Sequence, residues 1–364
     1  MNSKDLQYKN FLITTNNHHI EGFENVFYEL GKTQQESISN AVVLINYSHK
    51  NYLIHNKQKD EVFYPILNKK SFDLQELKCD EKNNSQINLK TKTNKEEYIK
   101  RVKALKQHIQ IGDIYEINFC VEFFAEDVEI DPFDLFLKLN ELTEAPYAAL
   151  AKLDDTFIIS ASPELFLQKQ NDVLITKPIK GTAKRSNNLF DDENLKQHLH
   201  LSLKERTENV MIVDVARNDL SVIAQKATVQ VPKLFDIESY KTVHQMVSTV
   251  QCKLKSDLSF DDIISATFPM PSMTGAPKIR AMELIDEFEQ FKRKEYSGAF
   301  GFIDEQNNFK LSVLIRTIIY DQKTKRLSFA VGSAITHLCD PEAEYEECLL
   351  KAKALIKAMN GVIE

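Results

Sequence analysis

The 364-residue chain is 43% apolar and 27% charged with a formal net charge of −7 and a pI near 5.8, an ordinary soluble composition able to bury a large core. No extended basic stripe is present to meet phosphates, which argues against a nucleic-acid binder, and no apolar run approaches the ~18 residues of a membrane span. Met1–Gln7 lacks an apolar signal core, and the five cysteines (Cys79, Cys120, Cys252, Cys339 and Cys348) form no CxxC pair, which fits free thiols in a reducing cytoplasm.

Residues 1–90 carry short β-like runs, Phe11-Leu12-Ile13 and Ala41-Val42-Val43-Leu44-Ile45, and the polar stretch from Lys78 to Lys95 reads as a loop or linker. Tyr98, Val102, Leu105 and Ile109 form one stripe of a helix from about Lys95 to Ile111, which Gly112-Asp113 ends. Ile114 to Phe124 reads as a strand, and Asp131-Pro132 opens a short helix. Four strands are expected around 149–151, 157–159, 165–167 and 173–175, then one long helix near 191–217. A further helix is expected from Ala276 to Phe288, strands at 298–303, 310–319 and 327–332, and a closing helix from Glu342 to Met359. Strands and helices mix without strict βα alternation, so the fold class is α+β. The expected organisation is a short β-rich N-terminal part, 1–90, and a catalytic domain, 95–364, in one unit.

Lys180, in Thr176-Lys177-Pro178-Ile179-Lys180-Gly181-Thr182, is read as part of a basic loop after an apolar strand. Lys177, Lys184 and Arg185 are close in sequence, and neighbouring cations with partial burial would disfavour its ammonium form and make it a nucleophile. Glu164, in Ser162-Pro163-Glu164, could reach the same place through a hairpin. Two acidic pairs, Glu205 with Glu208 and Glu344 with Glu347, have the i, i+3 spacing of one helix face. Such pairs are commonly solvated. However, Glu205–Asn209 runs straight into apolar Val210–Val213, and a carboxylate at a core edge needs a counter-charge or a metal. All-oxygen ligation suits Mg²⁺. Arg316 interrupts the apolar run Leu311–Ile315, so it needs an anionic partner, either a structural carboxylate or a ligand. His244, Thr274 and Tyr296 are further candidate binding groups, although a histidine such as His244 is more often a satisfied core residue than a catalyst. The segment Thr274–Lys278 lacks GxxxxGK[ST], so nucleotide binding is not expected.

Taken together, Ser162-Pro163-Glu164, the PIKGT run at 178–182, Lys204–Asn209, Met211–Leu220, the His244 segment, TGAPK at 274–278 and Ala343–Glu347 resemble the chorismate-utilising enzymes from about residue 95 onward. The resemblance implies two packed β-sheets ringed by helices, with a deep active-site cleft. Lysine in the PIKGT slot is characteristic of component I of aminodeoxychorismate synthases, where most other members carry alanine. The members that add water at C2 place a base lysine near the position of Tyr115, whereas Glu116 stands here.

The resemblance further implies that Glu208 and Glu347 ligate Mg²⁺, with Glu205 and Glu344 supporting through water. Arg316 and Tyr296, with backbone near Gly332 and Ser333, bind the enolpyruvyl carboxylate, and His244, Thr274 and Lys351 line the pocket. Lys180 attacks C2 of chorismate, Glu164 protonates the departing C4 hydroxyl, and ammonia then adds at C4. Ala334 puts a methyl group into a turn that is usually glycine-rich. The chain has no glutamine-hydrolysing triad, so ammonia would come from a glutamine amidotransferase subunit or from solution. The rival within the family is anthranilate synthase component I, which aminates C2 and eliminates pyruvate.

Overall fold

The computed structural model describes residues 10–14, 19–20, 24–29, 41–47, 50–55, 86–153 and 155–364. Seven helices occur among them: α1 Lys95–Gln110, α2 Pro132–Thr143, α3 Leu189–Leu201, α4 Leu203–Ile223, α5 Phe260–Thr267, α6 Lys278–Phe288 and α7 Pro341–Ala358. The strands form two large sheets. The first runs His19–Ile20, Asn10–Thr14, Tyr147–Leu153, Thr156–Ser162, Thr317–Asp321, Arg326–Ile335, Glu116–Ala125, Ile87–Thr91 and Gly361–Ile363 across its width. The second runs Ile179–Lys184, Val243–Lys253, Val173–Lys177, Leu165–Gln170, Phe309–Val313, Ala299–Ile303, Ala41–Ile45, Lys50–His55 and Glu24–Glu29. Strands from before residue 60 thus continue both sheets: Asn10–Thr14 pairs with Tyr147–Leu153, and Ala41–Ile45 with Ala299–Ile303.

Period-two alternation sorts the central strands. Ile117, Phe119, Val121 and Phe123 pack with Tyr98, Val102 and Leu105 of α1 and with Cys348, Ala352 and Leu355 of α7 in one apolar core. Cys120 and Ala330, one step out of phase, join a second core with Val313 and Ile45 of the other sheet and Val213, Ala216 and Leu220 of α4. A third cluster sets Leu44, Phe300 and Leu314 against Ala149, Ala151 and Ile158, sealing sheet to sheet. The α+β class and the packed pair of sheets are both observed.

Several elements depart from expectation. The helix near 191–217 is two helices, because Ser202 ends α3 and its hydroxyl accepts the Glu205 N–H as the N-cap of α4. The strand at 310–319 is broken at Leu314–Arg316, where Arg316 has φ 50°. Lys180 lies in a strand, Ile179–Lys184, and not in a loop. Pro178 cannot donate to the ladder, and pairing with Val243–Lys253 resumes at Ile179↔Val247, with a register shift before Thr182↔Gln245. In that shift Gly181 takes φ 95°, and a Cβ there would meet Glu205 Oε2 at 2.9 Å. Of the polar stretch read as a linker, residues 78–85 lie outside the described residues, while Ile87–Thr91 is a strand. The strands Gln230–Ser239 and Val243–Lys253 had no expected counterpart. Among the described residues, no helix is long and apolar enough to cross a membrane.

Candidate active site

A cleft lies between the sheets and the helices α4 and α7. Lys180, Glu164, Glu205, Glu208, Glu347, Lys351, Arg316, Tyr296, Gly332 and Ala334 all line it. The strand Ile179–Lys184 presents Lys180, and the turn between Thr156–Ser162 and Leu165–Gln170 presents Glu164. The break at Arg316 turns its guanidinium into the cleft, and among the described residues it makes no ion pair with a carboxylate. A cation held there without a counter-ion is poised for an anionic ligand. On the opposite wall Lys351 donates to the Gly332 carbonyl at 2.9 Å and pairs with Glu347 at 2.8 Å. Gly332 is required by close approach, since a Cβ would run into Cys120 Sγ and the Phe119 carbonyl.

Four of the expected site residues do not line the cleft. His244 is buried between Ser239, 2.7 Å from Nδ1, and Asp192, 3.0 Å from Nε2. It closes a structural network that also holds Arg185, and its neighbour Gln245 faces the cleft instead. Thr274 turns its hydroxyl back to the Met270 carbonyl at 3.1 Å. Ser333 lies on the helix side of its strand, 2.7 Å from the Tyr98 hydroxyl, because alternation gives the cleft to Gly332 and Ala334. Glu344 is buried behind the cleft and accepts from Lys204 at 2.8 Å.

The charge state of Lys180 also differs from expectation. Its sequence neighbours are engaged elsewhere, Lys177 with Glu238 and Arg185 with Asp192. Its Nζ stands 2.5 Å from Glu116 Oε1. Burial alone would depress the amine's pKa, but the carboxylates of Glu116 and Glu208 outweigh it and raise the value above that of an ordinary lysine. Lys180 is therefore an ammonium at neutral pH. Glu164 is perturbed the other way. Burial lifts its carboxyl to about 7, against opposing pulls from the Ser272 hydroxyl, the Ile179 N–H, Lys180 and Lys351. A carboxyl that keeps its proton near neutrality is suited to general acid work.

One wall of the cleft is acidic. Glu205 and Glu208 from α4 and Glu347 from α7 face the same space. Burial raises Glu208 to about 8, and its buried Oε1 has no hydrogen-bond partner. Burial would raise Glu347 too, but Lys351, Lys204 and Lys180 hold it below the ordinary carboxylate value. Among the described residues no three acidic, histidine or cysteine groups converge tightly enough to hold an ion by themselves. An orphaned carboxylate oxygen beside an ionised one fits a hard cation such as Mg²⁺, which takes few protein ligands and completes its shell with water and a substrate anion.

Sequence reasoning did not place Asn118, Gln245, Ser272, Met273 and Thr182 at the cleft, nor Glu116 against Lys180. A signal existed for the first strand. Glu116 and Asn118 alternate with Ile117 and Phe119 in a strand that is buried throughout that stretch, so that part of its second face had to be a polar site, giving way to core at Cys120.

Comparison with known proteins agrees with this geometry. The family model described as "chorismate binding enzyme" matches residues 23–357. A rice protein named "Probable aminodeoxychorismate synthase, chloroplastic" is 43% identical over 268 residues, 73% of this chain and 30% of its own length. The Salmonella typhimurium "Aminodeoxychorismate synthase component 1" is 38% identical over 73% of this chain and 58% of its own. A Synechocystis "Anthranilate synthase component I-like protein" is 35% identical over 76% and 57%. The matched region thus spans less than two-thirds of these curated relatives. Among solved structures, a 2,3-dihydroxybenzoate-specific isochorismate synthase from Bacillus anthracis superposes with TM-score 0.79 over 98% of both chains at 21% identity. Anthranilate synthase component I from Streptococcus pneumoniae superposes with TM-score 0.75 over 96% of this chain and 92% of its own at 23% identity. With a family match over nearly its whole length and a cleft lined by the motif residues, the chain belongs to the chorismate binding enzyme family.

Proposed function

We propose that this chain aminates chorismate at C4 to give 4-amino-4-deoxychorismate, with Lys180 as nucleophile and Glu164 as general acid. The observation that carries the reading is that an amine and a carboxyl near pKa 7 face one cleft beside an Arg316 that makes no ion pair with a carboxylate among the described residues. Arg316 and Tyr296, with backbone at Gly332, bind the enolpyruvyl carboxylate. Glu208, Glu347 and Glu205 would hold Mg²⁺, with Glu344 fixing Lys204 behind them. The ion, when bound, anchors the ring carboxylate and draws charge from the ring. The Lys180 nitrogen bonds to C2, both ring double bonds shift around the far side of the ring, and the C4–O bond breaks as Glu164 gives its proton to the leaving hydroxyl, which departs as water. Ammonia then adds at C4, both double bonds shift back, and the C2–N bond breaks to release the lysine.

The rice and Salmonella names support C4 amination. The term "component 1" supports a second subunit, and the ammonia would come from glutamine hydrolysed there or from solution. The Synechocystis relative favours a second reading, C2 amination with loss of pyruvate. Incubation with chorismate, Mg²⁺ and an ammonium salt distinguishes them. The expected product is an aminated compound that becomes 4-aminobenzoate only when a lyase is added. Anthranilate fluorescence without a lyase would overturn the reading in favour of its rival. Lys180→Ala is expected to reduce 4-amination at least about 10²-fold, and full activity in that variant would remove the covalent step.

A further inference from the structure

An ammonium has no lone pair, so the proposed attack by Lys180 requires a group that first takes its proton. We propose that Glu116 is that acceptor and the positioning partner of Lys180, receiving the proton at Oε1 as substrate is engaged. This inference rests on the reading above and adds a residue to it. The Glu116 side chain is fully buried with Oε1 2.5 Å from Lys180 Nζ in an ion pair, and among the described residues no hydrogen bond engages either of its oxygens. The charged groups that face Lys180 are Glu116 from the first sheet, Glu164 from its turn, Glu208 from α4, and Glu347 and Lys351 from α7. Of these only Glu116 is in contact with the amine. Glu164 is committed as the acid, Glu208 and Glu347 belong to the cation wall, and Lys351 is held by Glu347 and the Gly332 carbonyl.

Glu116 is also rigidly placed. Ala276 pairs with it across the sheet, the Tyr115 N–H donates to the Ala276 carbonyl at 2.7 Å, and Gly275 packs onto the Glu116 carbonyl without room for a Cβ. On the other side Lys180 is set by the bulge at Gly181. A contact fixed from both backbones can pass a proton without rearrangement.

The step balances. The N–H bond of Lys180 breaks with its electron pair left on nitrogen, an O–H bond forms on Glu116, and the pair stays neutral overall. That electron pair forms the bond to C2, and Glu164 loses its proton with the hydroxyl. When ammonia adds at C4, the C2–N electrons return to lysine and Glu116 returns its proton. The new C4 ammonium gives one proton to Glu164, which restores the acid.

The test compares wild type, Glu116→Gln and Glu116→Asp at one fixed Mg²⁺ concentration, with lysine labelled by ¹³C at Cε. The Lys180 resonance is assigned by its loss in Lys180→Ala. In Glu116→Gln the titration midpoint of Lys180 is expected to fall by at least about one pH unit, because burial and Lys351 then act with less opposition. At pH 7.5 kcat is expected to fall about 10²-fold with KM changed less than about threefold. The ratio of wild-type to variant kcat is expected to shrink about tenfold per pH unit from 7 toward the variant's midpoint, since the variant must lose its proton to solvent and the pair need not. Glu116→Asp keeps an acceptor and is expected to recover part of kcat, which separates proton transfer from misfolding. An unmoved Lys180 midpoint in Glu116→Gln, or a moved midpoint with kcat within twofold of wild type, overturns the assignment. Absence of any 4-aminated product from wild type would instead sink the functional reading, with the resonance titration still deciding whether Glu116 controls the amine.

Discussion

Glu164 links the chemistry of the cleft to the stability of the fold through one proton. Its carboxyl titrates at about 7 in the folded chain instead of near 4.5, so the folded state binds the proton more tightly than the unfolded state. Its contribution to stability is full below about 4.5 and is lost as pH rises through about 7. Glu164→Gln, which keeps the shape without the charge, is therefore expected to unfold at a higher temperature than wild type at pH 8, with the gap closing toward pH 5. In steady-state assays the same variant is expected to lose about 10²- to 10⁴-fold in kcat/KM. The wild-type decline in kcat/KM above about pH 7 is expected to vanish with it. Equal thermal stability at pH 8 would mean that the carboxyl is not destabilised by burial. Both Glu164 and Lys180 were legible as residues, since each stands in a motif. The ionisation of Lys180 was not, because its cause is a carboxylate on a strand remote in sequence. Reading the adjacent cations as its neighbours was reasonable along the chain and wrong in space.

Pairs of elements explain motif residues that do no chemistry. Asp219 near the end of α4 pairs with Lys278 at the start of α6 at 2.6 Å, and Lys278 also donates to the Thr267 carbonyl at the end of α5 at 3.2 Å. One ion pair thus ties three helices together, which accounts for the lysine of TGAPK without a phosphate. Removing one partner leaves an uncompensated buried charge, so Asp219→Ala is expected to cost about 3–5 kcal/mol in urea unfolding. A double replacement, Asp219→Leu with Lys278→Met, is expected to recover most of that loss. If Asp219→Ala cost less than about 1 kcal/mol, the pair would be no more than a surface bridge. The helices themselves were largely legible from their apolar stripes and caps, Asp131-Pro132 above all. The break at Ser202 was not, since leucines continue on both sides and a serine inside a helix is tolerated. Val243–Lys253 escaped notice as a strand because it is buried on nearly every position while carrying His244, Gln245, Ser248 and Thr249, a pattern that fits neither a clean alternation nor an apolar run.

The molecule as a whole depends on a charged node between its two sheets. Arg293, almost wholly buried, pairs with Glu289 and donates to the Asn118 carbonyl of the first sheet at 2.9 Å and to the Met273 carbonyl. Its guanidinium also lies over the ring of Tyr47, just beyond the Ala41–Ile45 strand of the second sheet. Glu289 in turn accepts the Cys120 N–H at 2.9 Å. Asn118, Met273 and Tyr296, which surround this node, are cleft residues, so the node sets the distance between the sheets where the ligand would sit. Nothing in Phe291-Lys292-Arg293-Lys294 distinguishes this arginine from its exposed neighbours, because its partners come from four separate stretches of chain. Its planar fork matches a carboxylate and two carbonyls at once, and a lysine cannot. Arg293→Ala is expected to lose about 3–5 kcal/mol of stability. Arg293→Lys is expected to keep the charge but not the geometry, lowering the thermal midpoint by less while raising KM in the proposed reaction more than it lowers kcat. The measurement is a urea titration of both variants beside steady-state kinetics. An Arg293→Lys protein with wild-type KM would show that the cleft keeps its width without this node, and that the sheets are held apart by their apolar packing alone.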